Sequence, residues 1–337
     1  MRRFLAVLHA RNIEFVRDKS ALAWNIALPV FLVFGFSFLF SGDSKDLYKV
    51  GVLGDIENTK LEFLQTRYIK IIEVDDTETA INKVKHHQLD MFINLRQGNL
   101  YWINSESPNG YMVERILWGT SLDHSAIDKQ RQFVSGKPIR YVDWVLPGIL
   151  AMNMMFSSLF GVGYVIVRYR KNGVLKRLKA TPLTAFEFLS AQVISRLLLI
   201  TTLTILVYIG SDFFIGFYMI GSYWLLLLIL LLGSINLISL GLVAASRTSS
   251  EEFAGGLLNL ISWPMMILSG VWFSLEGAHP AMQEISKLLP VTHIVDAARA
   301  VMNDGAGLMD ISTQLIFLAT TGTVFLVIGA KMFKWES

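Results

Sequence analysis

Long, uncharged apolar runs recur along the chain and are separated by shorter polar stretches. A membrane-spanning helix needs roughly 20 mostly apolar residues, because the bilayer core offers no water to its backbone polar groups. The pattern therefore predicts a mainly α-helical, polytopic membrane protein with six transmembrane helices. The predicted spans, numbered in chain order, cover residues 21–42, 144–167, 188–211, 221–245, 253–275 and 311–331.

Residues 43–143, between the first two spans, follow a different pattern. Apolar residues recur at every second position over Leu89–Leu95, which is the period of a β-strand. About 100 residues suffice for a compact domain, so a small α/β domain is predicted here. Its predicted strands are Tyr48–Leu53, Lys70–Val74, Leu89–Leu95 and Leu100–Ile103, its predicted helices are Thr77–His87 and Asn109–Ser135, and Gly98–Asn99 is its predicted hairpin turn.

Composition supports a membrane protein and excludes several other classes. Of the 337 residues, 53% are hydrophobic and 17% are charged, whereas soluble domains have about 25% charged residues. Cysteine is absent, so the chain has neither a disulfide framework nor a thiolate metal site, and no metal site is predicted. The net charge of +3 is too small to indicate a nucleic-acid partner.

The placement of basic residues predicts the orientation of the spans. Segment 1–20 and the loop 168–187 are rich in lysine and arginine, whereas the loop 212–222 contains neither. Short basic loops stay on the cytoplasmic side, so both termini and the loop 168–187 are predicted to be cytoplasmic. Residues 43–143 and 276–310 then lie outside. The latter segment combines prolines with apolar residues, which predicts short re-entrant helices in the outer leaflet.

Residues 1–20 are predicted to form an amphipathic helix on the inner membrane surface. Its arginines, Arg3, Arg11 and Arg17, are expected at the level of the lipid headgroups. Its apolar face is expected to consist of Phe4, Val7, Leu8, Phe15 and Val16.

Residues that carry chemistry are scarce. The chain has no phosphate loop of the form G-x-x-x-x-G-K-[ST], so no ATP site, no catalytic residue and no enzymatic activity of its own are predicted. Arg196 is a rare charge within a span, and it either lines a pathway or extends to the headgroups, the second being favoured. Asp296 and Arg299 stand three residues apart on a predicted helix, a spacing that favours an ion pair.

Helix-capping patterns flank the predicted cytoplasmic loops. Pro182 ends the basic loop, and Thr184 has the capping spacing to Glu187 at the start of the next helix. Thr248 and Ser249 have the same spacing to Glu251 and Glu252 before the fifth span, which predicts a capped helix start there.

Four short motifs follow one another along the chain. Pro147-Gly148 opens the second span, and Gly173–Pro182 reads Gly-x-Leu-x-x-Leu-x-x-Thr-Pro in the basic loop. Residues 249–252, Ser-Ser-Glu-Glu, precede the fifth span, and Leu289–Arg299 reads Leu-Pro-x-x-His-x-x-x-Ala-x-Arg before the sixth. Together, in this order on a six-span chain, they resemble the permease subunits of type-2 ABC exporters over essentially the whole chain.

The resemblance implies a location in the bacterial inner membrane and a complex with other subunits. The expected partners are a second permease chain, identical or a similar paralogue, two copies of a cytoplasmic ABC ATPase, and membrane lipids. A periplasmic adaptor is a further possible partner of the outer domain. ATP and magnesium would be bound by the ATPase, and this chain would hold no cofactor.

The resemblance also assigns a role to the loop 168–187, which would contain a coupling helix seated on the ATPase. In many relatives an acidic residue stands just before the loop glycine, but residues 168–172 contain none, so carboxylate contacts with the ATPase are not carried over. The residues implied to couple to the ATPase are Gly173, Leu175, Arg177, Leu178, Ala180, Thr181, Pro182, Glu251 and Glu252.

The function that the resemblance implies is export of a hydrophobic or amphiphilic substrate, such as a drug, a lipid or a lipid-linked molecule. Charge-poor spans suit such a substrate, whereas an ion channel is expected to show rings of polar or charged residues. The alternative is a non-transporting membrane sensor or assembly scaffold, with a ligand-binding outer domain and a basic loop that binds anionic lipid. Candidate pathway residues are Asn153, Met154, Phe156, Asn236, Trp263 and Met266.

Overall fold

The computed structural model describes residues 2–40, 47–56, 62–85, 89–97, 100–120, 140–246, 248, 250–275 and 278–335. The chain divides into two compact units. One, called here the helical unit, comprises Met1–Ser41 and Pro138–Ser337, and the other, called the sheet unit, comprises Gly42–Lys137.

The helical unit begins with two helices before the sheet unit and continues with the remaining helices after it. Tyr141–Lys171 is one continuous helix in which a π-helical segment, Leu159–Tyr164, separates α5 from α6. The helices are α1 (Arg2–Arg17), α2 (Lys19–Leu39), α5 (Tyr141–Ser158), α6 (Val165–Lys171), α7 (Val174–Lys179), α8 (Ala185–Ile215), α9 (Tyr223–Ala245), α10 (Glu251–Leu268), α11 (Pro280–Ser286), α12 (Pro290–Asp304) and α13 (Ser312–Met332), with α3 and α4 in the sheet unit.

Five helices in the described part of the chain are long and apolar enough to cross a membrane, which agrees with a polytopic membrane protein. They are α2, the continuous helix Tyr141–Lys171, α8, α9 and α13. The predicted fifth span does not match the structure, because α10 ends at Leu268 rather than at residue 275. Gly270 has a φ of 67°, in the left-handed region, and turns the chain away, so that the Val271 side chain is fully buried.

The start of α8 confirms one capping prediction. The Thr184 side chain accepts a hydrogen bond from the Glu187 backbone N–H at 3.2 Å, and the Thr184 backbone N–H donates to the Glu187 carboxylate at 3.0 Å. This reciprocal pair satisfies two of the N–H groups that lack partners at a helix start. It fixes where the chain leaves the basic loop and enters α8.

Apolar side chains of α5, α8, α9, α10, α12 and α13 form the core of the helical unit, and one polar contact joins α9 to α13. The Asn236 side chain is fully buried, and its amide donates to the Leu318 carbonyl at 3.0 Å and to the Thr321 hydroxyl at 2.6 Å. Side-chain amides commonly join helices in this way in apolar surroundings. Asn236 is one of the predicted pathway residues, and its amide nitrogen is used to join α9 to α13.

The sheet unit contains a mixed four-stranded sheet in the order β2-β1-β3-β4. Strand β1 is parallel to β2 and β3, and β4 is antiparallel to β3. The bounds of β1 and β4 coincide with the predicted strands, whereas β2 and β3 begin and end at different residues than predicted. Helix α3 begins at the predicted residue, with predicted residues 86–87 outside the described part of the chain, and α4 begins one residue before the predicted start. The elements are β1 (Tyr48–Leu53), β2 (Ile69–Glu73), α3 (Thr77–Lys85), β3 (Met91–Asn94), β4 (Leu100–Ile103) and α4 (Pro108–Gly119).

Helix α3 begins with a side-chain cap. The side chain that caps α3 belongs to Asp76, whose carboxylate accepts from the backbone N–H and the hydroxyl of Thr79, both at 2.9 Å. These hydrogen bonds hold the pKa of Asp76 below its usual value, and the one from the Thr79 backbone N–H has the largest effect. The predicted turn at residues 98–99 and the end of the predicted helix, at 121–135, lie outside the described residues.

Candidate coupling site at the α7 end of the helical unit

Helix α7 is a short element between α6 and α8, and one side of it is anchored in the core. Gly173 precedes it with a φ of 68°, a left-handed conformation that costs a residue with a side chain roughly 1–2 kcal/mol. Leu175 is fully buried, and Leu178 is partly buried against the same core. The Thr181 hydroxyl donates to the Leu178 carbonyl at 2.6 Å and closes the end of the helix.

The opposite side of α7 and the residues after it are exposed, and most of the charge there is positive. This exposed surface is called the basic face, and it consists of Lys176, Arg177, Lys179, Ala180, Thr181 and Pro182. Leu175 was implied to contact a partner, and the structure corrects this, because a fully buried side chain can only anchor α7 from within.

Arg170, at the end of α6 just before α7, connects this end of the long helix to distant parts of the chain. Its side chain is 7% exposed, and its guanidinium donates to the carbonyls of Ala245 and Ser246, both at 3.0 Å, and of Lys334 at 2.9 Å. It also donates to the Thr248 carbonyl. One planar guanidinium thus joins the end of α6 to the end of α9 and to the C-terminal residues after α13.

Glu14 of α1 joins that helix to α6. Its carboxylate accepts from the Arg11 guanidinium at 2.8 Å, from the Arg168 guanidinium at 3.4 Å and from the Tyr169 hydroxyl. Burial works to raise the pKa of Glu14, but the hydrogen bond from Tyr169 and the charge of Arg11 outweigh it, so the pKa lies below its usual value.

We expect Glu14→Gln to lower the free energy of unfolding by up to about 1 kcal/mol at neutral pH, since the carboxylate is partly exposed and its ion pairs are screened. A carboxylate with a lowered folded-state pKa stabilises the fold above its unfolded pKa of about 4.5 and loses that contribution as the pH falls through the folded pKa. Thermal melts of purified protein across pH should show the two proteins converging in acid. The control is Glu284→Gln, which removes an exposed pair with Lys287 and should change little. A difference that does not shrink in acid contradicts the assignment.

The π-helical segment lies between two arginines that come from other helices. Arg196 of α8 donates from Nε to the Ser157 carbonyl at 2.7 Å, and Arg11 of α1 donates to the Gly161 carbonyl at 3.0 Å. Helix α1 also places the Phe15 ring beside the Arg196 guanidinium, at 5.3 Å. A π-helical turn disturbs the regular backbone ladder, so donors from neighbouring helices can satisfy the carbonyls around it.

These positions overturn two expectations. Arg11 is 9% exposed and Arg196 is 7% exposed, so neither extends to the surface, and Arg196 does not line an open pathway. Both are held by carbonyl groups of the continuous helix Tyr141–Lys171. The rest of α1 fits its predicted amphipathic character in part: Phe15 is buried and Arg3 and Arg17 are exposed, but Val16 is exposed as well.

The start of α10 lies beside α6. Glu251 accepts a hydrogen bond from the Tyr164 hydroxyl at 3.0 Å and is 3.7 Å from the Lys171 ammonium, whereas the Glu252 side chain is 82% exposed. The helix is capped by Ser250, whose hydroxyl accepts from the Phe253 N–H at 3.1 Å, and not by the predicted Thr248. Both predicted coupling glutamates have partners within the chain, since Glu252 accepts from the Ser250 hydroxyl at 3.0 Å and lies 4.0 Å from the Lys171 ammonium, but Glu252 is the more exposed of the two.

Helix α1 also contacts the basic face directly, because the Arg3 guanidinium donates to the Pro182 carbonyl. Arg3 thus joins the end of the basic face to α1, Glu14 joins α1 to α6, and Arg170 joins α6 to the end of α9 and to the C-terminal residues. Helix α7 follows α6 directly along the chain, so these contacts surround the point where the basic loop leaves the long helix.

The remaining candidate pathway residues do not form one continuous surface. Asn153 is 9% exposed, and its amide donates to the Asn25 carbonyl at 3.3 Å. Met154 is buried, Phe156 and Met266 are partly buried, and Trp263 is 55% exposed on α10. Trp263 is thus the most accessible of the set, and the structure does not bring the others together with it.

Arg299 makes its close contacts with groups other than its predicted partner Asp296, whose charge acts on it from a longer distance. The Arg299 guanidinium lies 3.5 Å from the centroid of the Trp144 ring, and it donates to the Trp144 carbonyl at 2.9 Å and to the Val271 carbonyl at 3.4 Å. Among the ion pairs of the described residues, none joins Arg299 to Asp296. The arginine links α12 to α5 and to the turn after α10, a role that residue spacing within α12 does not reveal.

Residues 90–303, more than half of the chain, match the family model described as ABC-2 type transporter. The chain belongs to this family. The resemblance inferred from the four motifs is thereby confirmed. In this ABC-2 family member, the short loop helix between the second and third long helices is α7.

Two relatives carry names that agree with the family. The chain is 26% identical over 192 residues to the inner membrane transport permease YhhJ of Escherichia coli K12. The aligned region covers 56% of this chain and 51% of the relative. The chain is 22% identical over 272 residues to the probable multidrug ABC transporter permease YbhR of the same organism, 78% of this chain and 68% of the relative. The match to YhhJ thus covers about half of that relative's own length.

Sequence reasoning missed three residues of the site: Arg170, Glu14 and Tyr169. The available signal was the family pattern Glu-Arg-x-x-Gly, in which Tyr169 takes the place of the acid and Arg170 that of the arginine. The pattern did not reveal the role of Arg170, because its carbonyl partners lie 75 or more positions away along the chain.

Proposed function

We propose that this chain is the permease subunit of an ATP-driven exporter that moves a hydrophobic or amphiphilic substrate out across the bacterial inner membrane. It works as a dimer, with itself or with a similar chain, and a separate cytoplasmic ABC ATPase hydrolyses ATP. The proposed orientation places both termini and α7 in the cytoplasm, and the sheet unit and residues 276–310 outside. Family membership supports the permease role, and the charge asymmetry of the loops supports the orientation.

The basic face on an anchored α7 is the observation that carries the proposal. Leu175 holds the helix in the core, while Lys176 and Arg177 remain exposed. A short helix that is fixed on one side and charged on the other suits docking into an acidic cleft of a partner. Charge complementarity of this kind steers association and fixes the orientation of the complex.

The contacts around α7 suggest how movement of the ATPase reaches the long helices. Arg170 transmits a push on α7 to the end of α9, and Arg3 transmits it to α1. From α1, Arg11 reaches the π-helical segment through the Gly161 carbonyl. Packed elements tend to move as rigid bodies about such irregular points, so the π-helical segment is the proposed hinge of the continuous helix Tyr141–Lys171.

The apolar character of the long helices supports a hydrophobic or amphiphilic substrate. Met154, Phe156, Trp263 and Met266 are the candidates favoured for contact with it, because Asn236 and Asn153 use their amides in hydrogen bonds within this chain. The printed name of YbhR, a probable multidrug permease, is in line with such a substrate.

Co-purification is the first test of the proposal. The chain is expressed with a candidate ABC ATPase from the same organism, and the complex is isolated through a tag on the permease. We expect the two to co-purify and a panel of amphiphiles to stimulate ATP hydrolysis. A permease that purifies without an ATPase, and whose basic loop binds vesicles containing anionic lipid, supports the scaffold alternative instead.

We expect the charge reversals Lys176→Glu and Arg177→Glu, made together, to weaken ATPase binding while leaving the helical unit folded, since both side chains are exposed. Loss of at least about tenfold in affinity is expected, because close charges at interfaces couple strongly. Affinity is measured by titrating purified ATPase against the permease in detergent. Lys85→Glu on α3, a matched reversal in the sheet unit, should bind normally. The partly buried Leu178 is a poorer test site, because Leu178→Asp would disturb the anchoring of α7 as well as docking. Full ATPase binding by the double variant would refute the role of the basic face.

A further inference from the structure

An apolar cavity of about 480 Å³ lies between α5, α8, α9 and α12, at the end of α8 opposite to α7. Its size falls within the range of small-molecule sites, about 300–1,000 Å³. Most of its lining is aliphatic, but three aromatic side chains, Tyr208, Tyr223 and Trp224, contribute to one part of it. The rings of Tyr208 and Tyr223 meet edge to face, with centroids 6.3 Å apart.

A carboxylate stands beside these rings. Asp212 lines the cavity and is half-buried, and its Oδ1 accepts from the Phe217 backbone N–H at 2.8 Å. No lysine, arginine or histidine is among the described residues that line the cavity. Arg140, which donates to the nearby Gly216 carbonyl at 2.6 Å, forms its ion pair with Asp143 at 2.7 Å and not with Asp212.

Two hydroxyl groups extend the polar part of the lining. The Tyr208 hydroxyl is buried beside the Tyr223 side chain, and Thr204 lies one helical turn away on the same side of α8. Both hydroxyl groups can donate a hydrogen bond to, or accept one from, a ligand or a water in the cavity.

We infer that this cavity binds lipophilic organic cations, with the apolar body of the ligand between α5, α9 and α12 and its positive charge beside Asp212 and the aromatic rings. Aromatic faces attract cations, and the carboxylate adds direct charge complementarity. The same carboxylate repels the phosphate of a phospholipid and any lipophilic anion. Binding concerns the permease alone. Export of such cations as a substrate class, unlike their binding, rests on the proposed function.

Matched ions of opposite charge provide the test. Isothermal titration of the purified full-length permease in dodecylmaltoside micelles compares tetraphenylphosphonium with tetraphenylborate, which has nearly the same shape, and empty micelles supply the blank. We expect saturable binding of the phosphonium and at least about tenfold weaker binding of the borate, a ratio that corresponds to one decade of Kd. Equal or tighter binding of the borate, or phosphonium uptake that equals partitioning into empty micelles, would overturn the inference.

Single substitutions test whether the Asp212 carboxylate is the group that attracts the cation. Asp212→Asn keeps the Oδ1 acceptor for Phe217 and removes only the charge, so we expect normal folding and about tenfold weaker phosphonium binding. Asp304→Asn, an exposed carboxylate at the end of α12, is the matched control and should stay within about twofold. Unchanged phosphonium affinity in Asp212→Asn would overturn the inference. Should that variant fail to fold, Tyr223→Leu decides: a loss of roughly threefold supports the site, and no loss overturns it.

Failure of this inference and failure of the proposed function can be told apart. Titrations use no ATPase, so absence of phosphonium binding removes the cavity site and leaves coupling to an ATPase intact. Conversely, binding that depends on Asp212 in a chain that recruits no ATPase supports the site and contradicts the exporter. Stimulation of the ATPase complex by tetraphenylphosphonium, lost in Asp212→Asn, would support both.

Discussion

Gly161→Ala is expected to destabilise the helical unit by about 3 kcal/mol or more, because an added Cβ displaces a buried arginine from its partners. A Cβ at Gly161 would lie 1.9 Å from the Cζ atom of Arg196, far inside contact distance. The guanidinium would have to move away from the Ser157 carbonyl and from its place beside Phe15. A buried charge that loses its partners is among the largest known causes of destabilisation.

Gly210→Ala is the matched control. Gly210 also lies within a long helix, α8, but a Cβ there meets nothing within 4 Å. Alanine favours the helix over glycine by roughly 0.5–1 kcal/mol, so this variant should be as stable as the parent or slightly more stable. The measurement is thermal unfolding of the detergent-purified protein, followed by fluorescence-detected size-exclusion chromatography.

A double variant separates the steric cause from a general sensitivity of the π-helical segment. Arg196→Met removes the guanidinium that the new methyl group would strike, at the cost of leaving the Ser157 carbonyl without its donor. We expect Gly161→Ala to cost much less in the Arg196→Met background than in the parent, which is a non-additive coupling between neighbouring sites. Equal costs in both backgrounds would show that Arg196 does not occupy the space beside Gly161.

The second large effect is expected at Arg170. Arg170→Met keeps most of the side-chain volume but leaves the carbonyls of Ala245, Ser246 and Lys334 without their donor. Hydrogen bonds to charged groups contribute about 1.5–3 kcal/mol each, so we expect a loss of at least about 3 kcal/mol. The C-terminal residues after α13 should loosen first, because one of the lost bonds holds Lys334.

Arg168→Met provides the comparison in the same helix. The Arg168 side chain is 44% exposed and pairs with Glu14 at 3.4 Å, so its replacement should cost less than about 1 kcal/mol. Hydrogen exchange of residues 331–335 distinguishes the two variants, since only Arg170→Met should speed it. In the complex with the proposed ATPase, Arg170→Met should still bind but should couple hydrolysis to transport poorly. Normal exchange and normal coupling in Arg170→Met would contradict its role as a connection.

Exposed and buried residues of α7 and the segment after it have different expected roles. The coupling residues inferred from the family motif form two groups: Arg177 and Thr181 are exposed, while Leu175 is buried. The first group suits contact with a partner, and the second holds the helix in place. A substitution at Leu175 would therefore report on folding and one at Arg177 on docking.

The sequence alone determined the features that depend on length and on local spacing. Apolar length predicted the five helices that are suited to cross a membrane, and a period of two predicted a strand near residues 89–95. The capping box of Thr184 and Glu187 was also readable, because both partners stand within one helical turn. The family followed from the order of short motifs along the chain.

Only the tertiary structure decided where the charged side chains go and where α10 ends. Arg11 and Arg196 looked like surface or pathway charges, yet carbonyls 150 and 39 positions away hold them in the interior. Arg299, three residues from Asp296, donates instead to the carbonyl of Trp144, 155 positions away. The physical reason is common to all three: a buried guanidinium must find several acceptors, and packing of distant helices, rather than spacing along the chain, determines which acceptors are within reach.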